Sequence, residues 1–380
     1  MKKIIIKRCV KIASLLIAVV LFLAFLQRYI LTNVSDNTIR LRGFYQEEPN
    51  TLDVIVLGAS EVYSDFSADE LYKKTGVTSY PYSFAANPVT LWKYELREIL
   101  ERQTPKLLIV ELNGAQYGKD MLYNSAAFRY LTQDMKLLPE KKEIIDTYGT
   151  DSKLSYYFPI LKYHSEWHRG KNLRNGYSML VQDMRGYSLL KGSYSHMARK
   201  EVPEELKDYD RTATRDLNPE AEKYFREFLD ECKASGIENV LFVRFPHLVT
   251  DKKGVDALKR NNRAGEIAAE YGYEYLDMDA FCGEAGIERP EDFHNTDHLM
   301  MSGQMKFTDY LADYLVRKYD LKPTDLSPEQ KEKWDESVRW MDACFAYYQD
   351  YMKDPVFNRE YTVYERSDVM ARVKKYLDPQ

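Results

Sequence analysis

The segment Val54-Ile55-Val56-Leu57-Gly58-Ala59-Ser60 decides how this chain is read. Four consecutive apolar residues, three of them β-branched, favour a strand packed on both faces, because no polar alternation marks a solvent side. Gly58 ends the run, and Ser60 falls where the following helix begins, at the carboxyl end of the strand. The same rhythm returns along the chain. Apolar runs predict strands at 77–82, 106–111 (Leu107-Leu108-Ile109-Val110), 239–245 (Val240-Leu241-Phe242-Val243) and 273–278. Helical spacing falls between them at 65–74, 92–103, 219–235, 256–271 and 305–319, with Gly236 as a stop signal for the third of these. Strands alternating with helices predict an α/β fold, a doubly wound parallel sheet spanning 51–322.

Working outward, 115–215 is aromatic, charged and helical in spacing, which predicts a helical insertion lying over the sheet's carboxyl edge. Residues 323–380 read as a C-terminal extension of amphipathic helices. Residues 32–50 are mostly polar and aperiodic and read as a stalk. Ahead of them, Lys2, Lys3, Lys7 and Arg8 precede an uncharged run from Ile12 to Leu26. Extended by Cys9, Val10 and a snorkelling Lys11, that run approaches the ~20 residues a membrane helix needs. The basic flank favours an N-terminus on the cytoplasmic side, with the main domain outside. Gln27-Arg28-Tyr29-Ile30-Leu31 offers no small-x-small cleavage site, so 1–31 reads as an uncleaved signal anchor.

The net charge of −5 argues against nucleic acid as the main partner, since phosphate neutralisation needs a basic surface. The four cysteines, Cys9, Cys232, Cys282 and Cys344, form no C-x-x-C pair, which speaks against a zinc ribbon. The chain has no phosphate-cradling glycine loop, no GxGxxG and no HExxH. His164 and His168, like His294 and His298, are four apart, but no third ligand stands at fixed spacing; neither a metal nor a cofactor is expected.

Reactive groups of an open α/β sheet gather where strands end. Ser60 is there, either as a nucleophile or as a plain N-cap serine. Asn113, in Glu111-Leu112-Asn113-Gly114, and Asn87, in Ala85-Ala86-Asn87-Pro88, carry amides suited to an oxyanion, though asparagine before glycine is also ordinary turn chemistry. Phe293-His294-Asn295-Thr296-Asp297-His298-Leu299 follows the last strand and supplies His298 as a general base, provided a carboxylate orients its other nitrogen. Arg244 and His247 end the fourth strand and suit an anionic substrate group. His164 and Trp167, within Tyr163-His164-Ser165-Glu166-Trp167-His168, suit a substrate groove in the insertion.

Leu57-Gly58-Ala59-Ser60, the segment from Pro105 to Leu112, and His298-Leu299-Met300-Met301-Ser302-Gly303 together resemble the SGNH/GDSL hydrolase superfamily, which has a flavodoxin-like sheet. The resemblance is nearest to its membrane-anchored DltD-like and AlgX/AlgJ-like branch, and covers roughly 50–115 and 235–320. It implies Ser60 as nucleophile, His298 as base, and Asn113 and Asn87 as oxyanion donors. It also implies acyl esters of an envelope or exported polysaccharide, or a teichoic-acid-like polymer, as substrate. A membrane O-acyltransferase is the partner it implies. Two departures stand out: Ala59 replaces the usual aspartate, and Asn295 stands where the family places its acid. That leaves Asp297, or else Asp292, to supply the carboxylate. A non-catalytic, polymer-binding accessory protein on the same fold is the alternative expectation.

Overall fold

The computed structural model describes residues 2–353 and 362–377. Five parallel strands form one sheet: β1 (Val54–Gly58), β2 (Ser79–Ser83), β3 (Leu107–Glu111), β4 (Asn239–Arg244) and β5 (Glu274–Asp277). Their order is β2-β1-β3-β4-β5. Val54 pairs with Leu107 and Leu107 with Asn239, so the three central strands start in register and end together. β1, β2 and β3 are buried along their whole length, as runs without alternation require. The order reverses direction between β1 and β3. Such a switch point opens a crevice at the carboxyl ends of the strands.

The expected stalk is instead part of the fold. Asp36–Phe44 forms a helix, α2, every residue of which beyond Asp36 is buried. Ser35 caps it: its hydroxyl accepts the Thr38 N–H while the Thr38 hydroxyl receives the Ser35 N–H. α2 covers the edge strand β2. Phe44 packs edge-on against Tyr80 and Tyr82, with ring centroids 5.8 and 4.7 Å away, and the Tyr80 hydroxyl donates to the Arg40 carbonyl at 2.7 Å. A bare edge strand invites pairing with other chains, so this cover has a structural purpose. Its alternation of charge and apolar residues (Ile39, Arg40, Leu41, Arg42) looks like surface, but the arginines are buried with partners. Arg40 lies over the Tyr63 ring at 3.5 Å, and Arg42 reaches Asp134 and Asp183.

The N-terminal helix α1 runs Lys2–Tyr29, and Lys3–Tyr29 is long and apolar enough to cross a membrane. At ~1.5 Å per residue its 28 residues span roughly 42 Å, more than a hydrocarbon core of ~30 Å. The insertion is helical, as its spacing predicts, from Lys119–Leu122 through Gly170–Arg185. Ser195–His196 then pairs antiparallel with Thr362–Val363, tying insertion and extension together. The extension's long helix, Pro328–Lys353, lies against Ala68–Thr75, with the Tyr72 and Trp334 rings 4.9 Å apart. The last part of the expected helical extension falls partly outside the described residues; Ser367–Val373 is helical.

Candidate active site

Gly58 ends β1 so tightly that any side chain would collide there: a Cβ would lie 2.7 Å from Val62 Cγ2 and 2.8 Å from Glu111 Cβ. That approach brings the ends of β1 and β3 together and starts a short helix, α3 (Ser60–Asp65), at Ser60 itself. Ser60 and Asn113 thus sit on either side of the switch point. Both line a cleft of about 780 Å³, together with Glu61, Arg244, His247 and His298. That volume is within the ~300–1,000 Å³ typical of small-molecule sites.

His298 arrives on a loop between the last strand and the helix Met301–Tyr319. The loop is pinned to α3, because the Leu299 N–H donates to Asp65 Oδ1 at 2.8 Å. Burial pushes the Asp65 carboxyl well above the usual carboxylate range. His298 Nδ1 meets Asn295 Oδ1 at 3.0 Å. The same oxygen accepts the N–H groups of Asp297 and His298 at 2.8 and 2.9 Å, which identifies it as the amide's carbonyl oxygen. An oxygen that already accepts two N–H groups takes a third donor here, so Nδ1 carries the proton. Neutral His298 therefore has its lone pair on Nε2. Burial lowers the pKa of His298; Glu61 and Asp297 oppose that shift by charge, and His247 and Lys200 reinforce it. The imidazole is thus biased towards its neutral form, with its proton on Nδ1.

Asn295 therefore fills the orienting position expected of Asp297 or Asp292. Asp297 is exposed and meets Asn295 through its backbone, while the Asp292 carboxylate accepts from Ser302 Oγ at 2.6 Å and Lys306 Nζ at 2.7 Å. The physical reason is the turn itself: a side chain that receives the N–H groups two and three residues on is an Asx turn, which asparagine forms as well as aspartate does. Neutral asparagine also orients the histidine of papain-like proteases.

Glu61 is the residue that sequence reasoning missed. It is 1% exposed, and its carboxylate accepts from Ser60 Oγ at 3.3 Å, from Asn113 Nδ2, and stands 3.6 Å from His247 Nε2. Burial alone pushes its pKa up. The polar contact with His247 and the charges of His298 and His247 outweigh this and hold it below its ordinary value. His247 answers in kind: burial lowers its pKa, but the Glu61 contact raises it further, for a net rise. Its Nδ1 lies 2.7 Å from the Phe245 carbonyl, which turns Nε2 towards Glu61. A glutamate after a strand-ending serine reads locally as a first-turn charge at the helix N-terminus, and nothing in the sequence marks it as turned inward.

Other expected residues are placed differently. Asn87 is wholly buried and donates to the Gly58 carbonyl and to both Glu95 oxygens at 3.0 Å, so its amide braces β1 rather than facing the cleft. Arg244 lines the cleft, but its guanidinium pairs with Asp277 at 3.2 Å and Asp279 at 3.4 Å, which neutralises it as an anion receptor. His164 is exposed in the insertion and does not line the cleft, and the Trp167 side chain lies outside the described residues. Gln116, Tyr117 and Pro203, from its two ends, are the insertion's contribution to the lining. The far wall is built instead from 247–261, the loop and helix after β4. The chain after β3 closes down at Gly114, where a Cβ would strike the Asn87 carbonyl and Trp92, and the insertion packs instead on α1 and α2, with Asp183 held by Arg28 and Arg42. His294 lies outside the lining; its Nδ1 meets the Ala198 carbonyl, and its ring stacks on His196 at 3.8 Å.

No protein-family model and no curated protein matches this chain.

Proposed function

We propose that this chain is an SGNH-like serine esterase or O-acyltransferase, anchored by α1 with its main domain outside the cytoplasm, acting on acyl esters of an envelope or exported polysaccharide. The observation that supports the reading is the bond from His298 Nδ1–H to Asn295 Oδ1, which leaves the lone pair on Nε2 of a residue lining the same cleft as Ser60. In this mechanism Ser60 Oγ attacks the ester carbonyl carbon while its proton passes to His298 Nε2. The C–O bond to the sugar breaks, and Nε2 returns the proton to the leaving alkoxide. Water, or a hydroxyl of an acceptor sugar, then attacks acyl-Ser60 by the reverse path. The Ser60 N–H and one amide hydrogen of Asn113 would receive the oxyanion; the other amide hydrogen is held by Glu61. Transfer rather than hydrolysis would draw its acyl group from a membrane O-acyltransferase.

One observation favours a second reading. Glu61 places an anionic oxygen against both the Ser60 hydroxyl and the Asn113 donor, which suits a polymer-binding accessory protein better than an oxyanion hole. Hydrolysis of an activated acetyl ester by the full chain decides between them. The catalytic reading expects turnover that Ser60→Ala abolishes; equal rates for the two proteins would leave the accessory reading.

A further inference from the structure

The insertion carries exposed apolar side chains that the cleft does not use. Leu154, Phe158 and Leu161 are 52–60% exposed, and Leu173, Tyr177 and Met184, on the helix Gly170–Arg185, are 44, 60 and 80% exposed. Spacings of four and seven residues set the last three along one side of that helix, while Asn172, Asn175, Gly176 and Met179 face inward. Soluble surfaces rarely gather large apolar side chains in this way.

The helix Gly170–Arg185 also grips the end of α1. Gly176 touches the Tyr29 carbonyl where any Cβ would collide with it. Asp183 accepts from Arg28 Nη2 at 2.8 Å and from the Tyr29 hydroxyl at 2.7 Å. The helix that carries the exposed stripe therefore also holds the end of the long apolar helix, on an adjoining side.

We propose that this face of the insertion lies in the headgroup region of the bilayer that α1 spans, with Phe158, Leu161, Leu173 and Tyr177 dipping into the acyl boundary. The inference rests on α1 being a membrane span and is independent of the chemistry at Ser60. Apolar burial supplies the attraction, since Lys162, Arg169 and Arg174 each face a carboxylate, of Asp151, Glu166 and Asp368. Binding should then persist on neutral lipid, unlike that of a polybasic patch. The domain would be held at a fixed tilt on the membrane rather than swinging on a tether.

The test uses the full chain, Cys9→Ser, in nanodiscs of phosphatidylcholine, with an environment-sensitive fluorophore on a single introduced cysteine. Phe158→Cys and Tyr177→Cys probe the face; Lys322→Cys, whose side chain is 82% exposed, is the reference. A nitroxide placed high on the lipid acyl chain should quench the first two about threefold and leave the third unchanged. Quenching of Phe158→Cys and Tyr177→Cys by aqueous iodide to the level of Lys322→Cys would overturn the proposal. Protection from both quenchers would overturn it too, since a second copy or another protein would then cover the face.

Discussion

His247 and His298 line one cleft, yet the chain holds them by opposite means. His247 faces a carboxylate, Glu61, and is biased towards its charged form; His298 faces a neutral amide, Asn295, and is biased by burial towards its neutral form. Two titrating groups whose environments push them apart divide acid from base roles. Carboxylate charge still reaches His298, from Glu61 and from Asp297, although the group bonded to its Nδ1 is a neutral amide.

The largest effect should come from the base itself. His298→Ala should lower esterase kcat/KM by about 10³-fold or more, as should Ser60→Ala, and the double variant should be little worse, because the pair acts as a unit. Next in size, Asn295→Ala frees the tautomer of His298 and should cost about 10²-fold, mainly in kcat. Asn295→Asp should retain activity and move the acid limb of the pH–rate profile upward, because a carboxylate favours imidazolium. Activity of Asn295→Ala equal to that of the unaltered protein would remove the orienting role.

Smaller, and signed, is the effect of Glu61→Gln. His298 must be neutral to act, so activity should hold below the ordinary histidine value near 6.5 before its acid limb falls. Glu61 raises the pKa of His298, so Glu61→Gln should move that limb further down, with the plateau rate changed by about tenfold or less. An upward shift would contradict the assignment.

The smallest effect concerns stability. His247 has a folded pKa above its unfolded one, so its contribution is full below about 6.5 and is lost as pH rises through the raised value. His298 is the reverse: its lowered folded pKa costs stability as pH falls below about 6.5. In melts across pH 5 to 8, His247→Gln should remove the first trend and leave the second. Identical profiles for the two proteins would mean that the Glu61 contact contributes nothing to folding.

Much of the sheet was legible because buried parallel strands advertise themselves: the apolar runs ending at Gly58, Glu111 and Arg244 need no partner to be recognised. Ser60, Asn113 and His298 were legible by position, since each follows a strand or precedes a helix at the carboxyl edge. What stayed hidden depends on direction rather than identity. Nothing local turns Glu61 inward, closes the Asn87 amide onto Glu95, or gives Arg244 to Asp277 and Asp279; those contacts join segments far apart in sequence or depend on how α3 is rotated. α2 was hidden for a related reason: Arg40 pairs with Asp36 and Asn37 on the helix itself, but the Tyr63 ring that covers it, and Asp134 and Asp183 that hold Arg42, lie elsewhere in the chain.

In the proposed mechanism His298, oriented by an asparagine, activates Ser60. A fluorophosphonate, which bonds covalently only to an activated serine, tests it directly when the labelled protein is digested and its peptides are weighed. An adduct is expected on the peptide containing Ser60, formed rapidly in the unaltered chain and slowed at least about 10²-fold in His298→Ala. An unlabelled Ser60, or labelling that proceeds equally without His298, would contradict it.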